Sequence, residues 1–322
     1  MKNVRLGIVG LGVIGQKHTI DVLAGKVARL KLTAVVSRDP AKRARYPGVA
    51  GFSTLREMIA ANAADAVLIA TPHYDHAPSG ITALKAGLHV LVEKPIAAHK
   101  ADALRLLAAH KNKKQVFAAM FNQRTDPHYQ KIRRLVRAGQ LGRLQRVSWI
   151  VTDWFRTEAY YASSRWRATW AGEGGGVLIN QCLHNLDLIQ WIFGLPQRVQ
   201  AHCGFGKYHG IEVEDDVTAY MEFAGGATAT LITSTGEAPG ANRLEIAGEL
   251  GRVVYENGKI DWLRNKVSAA KFSHASKELF AKPPAREVAI HARGQGGQHI
   301  EIMKNFADAI LSGKSLIAPA AE

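Results

Sequence analysis

The apolar run Val4–Val9 leads directly into Gly10-Leu11-Gly12-Val13-Ile14-Gly15, and a helix-like segment continues to about Gly25. A buried strand, a Gly-x-Gly-x-x-Gly turn and a helix in immediate succession leave few folds open. The first glycine makes the tight turn, the second lets the backbone approach a pyrophosphate, and the third lets helix and strand pack closely. The helix N-terminus, with the amides of Val13 and Ile14, presents its positive dipole end to the anion. This turn predicts the start of a doubly wound parallel sheet, with Gly10, Gly12, Val13, Ile14 and Gly15 against a dinucleotide. A glycine-rich turn that binds nothing is the alternative.

The alternation of apolar runs and helical segments continues. Runs at Leu30–Val36 and residues 66–70, 88–92 and 116–121 are separated by helical stretches at 77–86 and 100–110. With Val4–Val9 these make five runs, read as part of a six-stranded α/β domain over residues 1–122. The second strand should end in the residue that reads the adenosine ribose, where an acid favours NAD. Here Ser37-Arg38 stand there, with Lys42 and Arg43 a turn later. Ser37 can hydrogen-bond a 2′-phosphate and Arg38 can pair with it, which points to NADP. Asp39 precedes Pro40 and reads as an N-cap followed by the first helical position, although NAD stays open because an acid is nearby.

Loops at the carboxyl ends of such strands lie along the cofactor. Thr71, Pro72, His73 and His76 follow the strand at 66–70, and Thr71 and Pro72 are expected to shape that wall. His76 reads as a first-turn helix residue rather than a catalyst. The run at 88–92 ends in Glu93-Lys94-Pro95, which places a lysine where an open α/β sheet binds ligands. The proline also raises the chance of a cis Lys94–Pro95 bond.

After a helix at 127–138 the pattern changes to longer alternating strands at 145–154, 217–223 and 227–233, the last two flanking Gly225-Gly226. Short strands follow at 244–247, 252–256 and 259–262. Residues 123–322 therefore predict a substrate-binding and oligomerisation domain with an open, mainly antiparallel sheet, one face covered by helices. The other face calls for a second copy of the chain, as a homodimer or homotetramer. Residues 263–288 are basic and weakly patterned and read as a surface excursion, and residues 298–311 as a helix stopped by Gly313.

Two segments of this half carry candidate chemistry. Gly174-Gly175-Gly176 precede Asn180, His184 and Asp187, whose i, i+4, i+7 spacing predicts one face of a helix. The stretch from Trp154 to Ala171 holds Arg156, Tyr160, Tyr161, Arg165, Trp166, Arg167 and Trp170. Flat aromatic faces suit sugar C–H surfaces, while arginine and tyrosine suit hydroxyls or a carboxylate. A packed loop with merely structural aromatics is the competing account.

At 322 residues the chain is long enough for two cores, and no apolar run approaches the roughly 20 residues of a membrane span. The N-terminus enters a strand without a signal-peptide pattern, and Cys182 and Cys203 have no metal or disulfide spacing. No metal site is expected, and a reducing cytoplasm is the expected home. The net charge of +15 is spread over both halves without a nucleic-acid motif. It reads as a solvated surface whose field favours anionic cofactors or substrates.

Taken in order, Gly10-x-Gly12-x-x-Gly15, Ala70-Thr71-Pro72, Glu93-Lys94-Pro95 and Gly174-Gly175-Gly176 leading to Asn180, His184 and Asp187 resemble the Gfo/Idh/MocA oxidoreductases. The resemblance implies a Rossmann domain, an open-sheet domain that dimerises or tetramerises, and NAD(P)-dependent oxidation or reduction of a sugar or cyclic polyol. It assigns Lys94 as the catalytic lysine and His184 as the proton donor or acceptor. Asn122, Arg124, Trp154, Arg156, Tyr160 and Trp166 join Asn180 and His184 as expected substrate contacts. Asn180 stands where many members carry aspartate, and an amide holds a hydroxyl but cannot act as a base. The family's final helix is also expected to be missing. Two other functions stay open: an NAD-dependent glycoside hydrolase working through transient oxidation, and a cofactor-binding regulatory protein with a disabled site.

Overall fold

The computed structural model describes residues 3–292, 294 and 298–322. It divides into two compact units, and the first contains residues 3–125, 171–174 and 298–322. Its sheet has six parallel strands, β1 Val4–Val9, β2 Leu30–Val36, β3 Ala50–Phe52, β4 Ala66–Ile69, β5 His89–Val92 and β6 Phe117–Ala119, in the order β3-β2-β1-β4-β5-β6. Helices α1 Val13–Leu23, α2 Pro40–Ala44, α3 Leu55–Ala60, α4 His73–Lys85 and α5 Lys100–Ala109 make the crossovers. Leu6, Ile8, Leu68 and Leu91 pack on one face and Val67, Ile69, Val90 and Val92 on the other. Burial on both faces is why β4 and β6 read as short, unbroken apolar runs and why β1 and β2 are interrupted only by Arg5, Lys31 and Thr33. Each buried apolar side chain contributes roughly 1.5–3 kcal/mol.

This unit is discontinuous, so a single cut at residue 122 describes the chain only in part. The C-terminal helix His299–Ser312 packs Ile302, Met303 and Phe306 beside Leu6 and Ile8, ending at Gly313 with φ 67°. Beyond it the amides of Ala119 and Ala320 donate to the carbonyls of Ala318 and Phe117, which covers the β6 edge. Asp39 caps α2 as expected, accepting from the amides of Ala41 at 2.9 Å and Lys42 at 3.4 Å.

The second unit contains residues 126–170 and 175–292, with residue 294. Its strands are β7 Leu144–Val151, β8 Arg198–Phe205, β9 Glu214–Glu222, β10 Thr228–Ser234, β11 Asn242–Gly248, β12 Gly251–Glu256, β13 Lys259–Asn265 and β14 Ala285–Ile290. They lie in the order β14-β13-β12-β11-β7-β10-β9-β8, antiparallel except for the β7–β10 pair. Helices α6 Pro127–Arg137 and α8 Leu183–Phe193 place Ile132, Leu135, Leu188 and Ile192 against Trp149, Leu231 and Ile246. The opposite face carries the ion pairs Arg146–Glu245 and Arg243–Glu256.

Three expectations change. Residues 263–288 are not a plain excursion: β13 runs to Asn265, α9 spans Ala269–Ala275, and β14 pairs along β13. As an edge strand β14 half-buries only Val288 and Ile290, too weak a pattern to read. Strand β8 was missed for the same reason, being exposed along nearly all its length. Finally, α8 begins at Leu183, so only His184 and Asp187 lie on it. Asn180 sits one turn earlier, its amide bonded to the Gly176 carbonyl at 3.1 Å.

Candidate active site

In the first unit the order of strands reverses between β1 and β4, and the loops that follow these strands part there. The three glycines of the first loop differ in what they tolerate. Gly10 has φ 96°, and a Cβ there would meet the Ala70 carbonyl oxygen at 2.6 Å. A Cβ on Gly15 would meet the Gly10 carbonyl oxygen at 2.0 Å. Gly12 has nothing within 4 Å of that position, and it opens α1 without a side-chain cap. Val13, next to it, is 87% exposed and Ile14 half-buried. This open helix N-terminus fits a pyrophosphate, with the amides of Val13 and Ile14 as donors.

At the end of β2, Ser37 is half-buried and Arg38 exposed. The Ser37 hydroxyl accepts the Asp39 amide at 3.2 Å, and its carbonyl accepts the Arg43 guanidinium. Because the Asp39 carboxylate is spent on capping α2, Arg38, Lys42 and Arg43 leave this strand end basic.

After β4, Thr71 is half-buried, Pro72 exposed, and both His73 and His76 buried on α4. His73 Nδ1 lies 2.9 Å from the Glu173 carbonyl oxygen. His76 sets Nδ1 against the Pro95 carbonyl at 2.6 Å and Nε2 against the Thr71 carbonyl at 2.8 Å. It therefore ties the loop after β5 to the loop after β4. Burial lowers its pKa, against the opposing pull of those two carbonyls.

The loop after β5 carries half-buried Lys94, and the Lys94–Pro95 bond is cis, as anticipated. Glu93 is buried, with its carboxylate 2.7 Å from Nε2 of fully buried His18 on α1 and 3.2 Å from the Lys94 amide. Burial alone would raise the Glu93 pKa, but the His18 hydrogen bond and the charges of His18, His299 and Lys94 carry it below its ordinary value. Burial pushes the His299 imidazole down to about 4. His18 was missed in the sequence because 75 residues separate it from Glu93.

Two expected substrate contacts are buried in the first unit. Arg124 is 1% exposed and directs its guanidinium to the Ile317 carbonyl at 3.3 Å and to the Glu322 carboxylate. Its place is holding the C-terminal segment, a partner that local sequence gives no sign of. Asn122 is buried in a 3-10 turn, its carbonyl accepting from the Thr125 hydroxyl at 2.7 Å.

In the second unit His184 and Asp187 are both buried, one turn apart on α8. The turn before them depends on glycine: Gly175 has φ 155°, and a Cβ on Gly176 would meet the Glu214 carbonyl oxygen at 1.9 Å. Buried Glu214 clamps this turn, accepting the amides of Gly176 at 3.0 Å and Leu178 at 3.1 Å. Asn180 Nδ2 donates to the Tyr160 hydroxyl at 3.3 Å, alongside Gln181 Nε2 at 3.1 Å and Arg167 at 2.6 Å. Tyr160 belongs to α7, Glu158–Ala162, within the aromatic and arginine-rich stretch. Trp154 and Trp166 are half-buried, and the Arg156 and Arg167 guanidinium groups lie over their rings at 5.6 Å and 4.9 Å. Cys182 is buried and its thiol pushed up to about 12 by that burial, so it offers no reactive thiolate.

A glycine turn at the switch point of a parallel sheet, followed by an open mixed sheet, defines a dinucleotide-binding unit joined to a sheet unit. The chain belongs to the GFO/IDH/MocA oxidoreductase family. Residues 4–121 match its NAD-binding Rossmann-fold model and residues 129–254 its C-terminal domain model. Inositol 2-dehydrogenase of Corynebacterium glutamicum is 31% identical over 198 residues, 60% of this chain and 55% of that protein. The chain thus spans little more than half the length of that relative. Levoglucosan dehydrogenase of Pseudarthrobacter phenanthrenivorans is 26% identical over 300 residues, 82% of this chain and 76% of that one. Among solved structures, the WlbA dehydrogenase of Chromobacterium violaceum in complex with NADH and UDP-GlcNAcA aligns with a TM-score of 0.85 at 26% identity. That alignment covers 100% of this chain and 90% of the other. Among the described residues no helix is long and apolar enough to cross a membrane.

Proposed function

We propose that the chain is an NAD(P)-dependent dehydrogenase or reductase acting on a secondary alcohol or ketone of a sugar or cyclic polyol. The observation that carries this reading is the uncapped, open turn at Gly12, in the same unit as a lysine loop fixed by the Glu93–His18 and His76–Pro95 contacts. The nicotinamide, when bound, supplies the hydride acceptor or donor. The Lys94 ammonium stabilises the alkoxide that develops as the hydroxyl proton leaves, or polarises the carbonyl in the reverse direction. His184 takes or gives that proton. Asn180, lacking a titratable group, positions a hydroxyl together with Tyr160 rather than sharing the proton.

NADP is the preferred cofactor in this reading, because Ser37, Arg38 and Lys42 are groups that could hold a 2′-phosphate while Asp39 is occupied as a cap. The names of the inositol and levoglucosan dehydrogenases support the substrate class. Self-association through the outer face of the eight-stranded sheet completes the proposal. The test is absorbance at 340 nm with NADP and NAD across inositols, aldoses and sugar acids, with Lys94→Ala as control. Cofactor reduction that is lost in the variant and stronger with NADP is the expected result. A protein that binds cofactor and changes no absorbance with any substrate would overturn the reading.

A further inference from the structure

The loop between Trp154 and Trp170 leaves its positive charge uncompensated. Arg146 and Arg243 on the sheet, and Arg143 just before β7, each pair with a glutamate. Arg156 and Arg167 pair with no carboxylate among the described residues, and both of their Nε atoms are buried without a hydrogen-bond partner. Their guanidinium carbons nevertheless lie 5.0 Å and 4.3 Å from the centroid of one ring, that of Tyr160. Two like charges over one ring repel unless an anion joins them.

The acids close by are turned elsewhere. Glu158 accepts the Gly210 amide at 3.1 Å, Glu212 accepts the Trp170 amide at 2.6 Å, and Asp153 acts on Arg156 only through its field. Around the Tyr160 oxygen the neighbouring groups are donors as well: Arg167, Asn180 and Gln181. A cluster rich in N–H donors and poor in acceptors suits a group that only accepts, as an ionised carboxylate or phosphate does.

We infer that Arg156 and Arg167 form a receptor for an anionic group on the carbohydrate substrate, so that the natural substrate is an acidic sugar rather than a neutral polyol. The inference deepens the proposed dehydrogenase reading and rests on it for the word substrate. Carboxylate and phosphate share the required chemistry and are separated by experiment.

The full chain, with NADP present, is titrated calorimetrically with glucuronate, glucose 6-phosphate and glucose. At least one anionic sugar is expected to bind roughly 10- to 100-fold more tightly than glucose, the range of a charge-assisted bidentate contact. Arg167→Gln should remove that advantage, bringing the anionic sugars down to the affinity the same variant shows for glucose. Arg167→Lys, which keeps the charge and loses the planar fork, should fall between and guards against a misfolded glutamine variant. The stronger of the two anionic ligands identifies carboxylate or phosphate as the source. Equal affinity for glucose and both anions, or an Arg167→Gln variant that weakens NADP and spares the sugar anions, overturns the inference. Because binding is read without turnover, anion-specific binding with no change at 340 nm sinks the dehydrogenase reading alone.

Discussion

Replacing Glu93 tests whether the lysine loop is held by the buried Glu93–His18 hydrogen bond. In Glu93→Ala, His18 keeps its place on α1 with no carboxylate opposite, and the Lys94 amide loses its acceptor at 3.2 Å. A charge-assisted bond between two buried groups contributes about 1.5–3 kcal/mol and the amide contact about 0.5–1.5 kcal/mol. Losing both contacts is therefore expected to cost about 3 kcal/mol. Glu93→Gln keeps the shape and an acceptor and should lose about half as much. All six tryptophans lie in the second unit, so their fluorescence does not report this loss. Hydrogen exchange of peptides covering α1 and β5 does, because local opening becomes about 100-fold more frequent for 3 kcal/mol. The sign with pH follows from the depressed Glu93 pKa. The stabilisation is present above the ordinary carboxyl range and is lost as pH falls through the folded-state value. Unchanged exchange in both peptides at pH 7 for Glu93→Ala would refute this role for Glu93.

Three further outcomes are expected. Gly12→Ala should unfold in urea at the wild-type midpoint yet bind NADP at least about tenfold more weakly, whereas Gly15→Ala, with its Cβ 2.0 Å from a carbonyl oxygen, should lose stability as well. If both behave alike, the open space at Gly12 is not where the pyrophosphate approaches. For His299 the folded pKa of about 4 lies below the unfolded one, so stability is full above about pH 6.5 and falls by about 3 kcal/mol as pH drops towards 4. His299→Gln should flatten that acid limb, and an unchanged limb by α1 hydrogen exchange would count against the assignment. Glu214→Ala strands the buried amide of Gly176 and the part-buried amide of Leu178 and should cost about 2–4 kcal/mol, read by tryptophan fluorescence in urea; an unchanged midpoint would show that water replaces the carboxylate and refute the clamp.

What could be read from the sequence follows from where the physics is local. β4 and β6 are buried on both faces, so each appears as an unbroken apolar run, while β1 and β2 stay apolar apart from Arg5, Lys31 and Thr33. The Asp39–Pro40 cap and the glycine turn are settled by residues two to four apart. Edge strands β8 and β14 give no such signal, since solvent covers too much of them for alternation to emerge. The start of α8 was misplaced because the spacing from Asn180 to Asp187 is helical in number, while the glycine-rich turn uses longer-range backbone bonds such as Cys182 N to Val177 O at 2.8 Å. The return of the C-terminal helix to the first sheet is a matter of topology, which periodicity does not carry.

The motifs that carry the proposed reactive residues are legible in the sequence, and what holds them is much less so. Lys94 and His184 stand in recognisable motifs, but the partner of Glu93 is 75 residues away and that of Arg124 is 198 residues away. Long separations of this kind decide whether a polar side chain faces outward or serves the fold, as Arg124 does. Arg156 and Arg167 show the reverse case: they sit in an arginine-rich stretch that reads equally as surface or as core. Only the count of nearby acids separates these possibilities, because Glu158 and Glu212 are already committed to main-chain amides. A basic chain can spread its charge over solvent at little cost, whereas two half-buried guanidinium groups sharing the Tyr160 ring cannot do so. The charge that matters for recognition is therefore the part left uncompensated around Tyr160, and the overall total of +15 does not locate it.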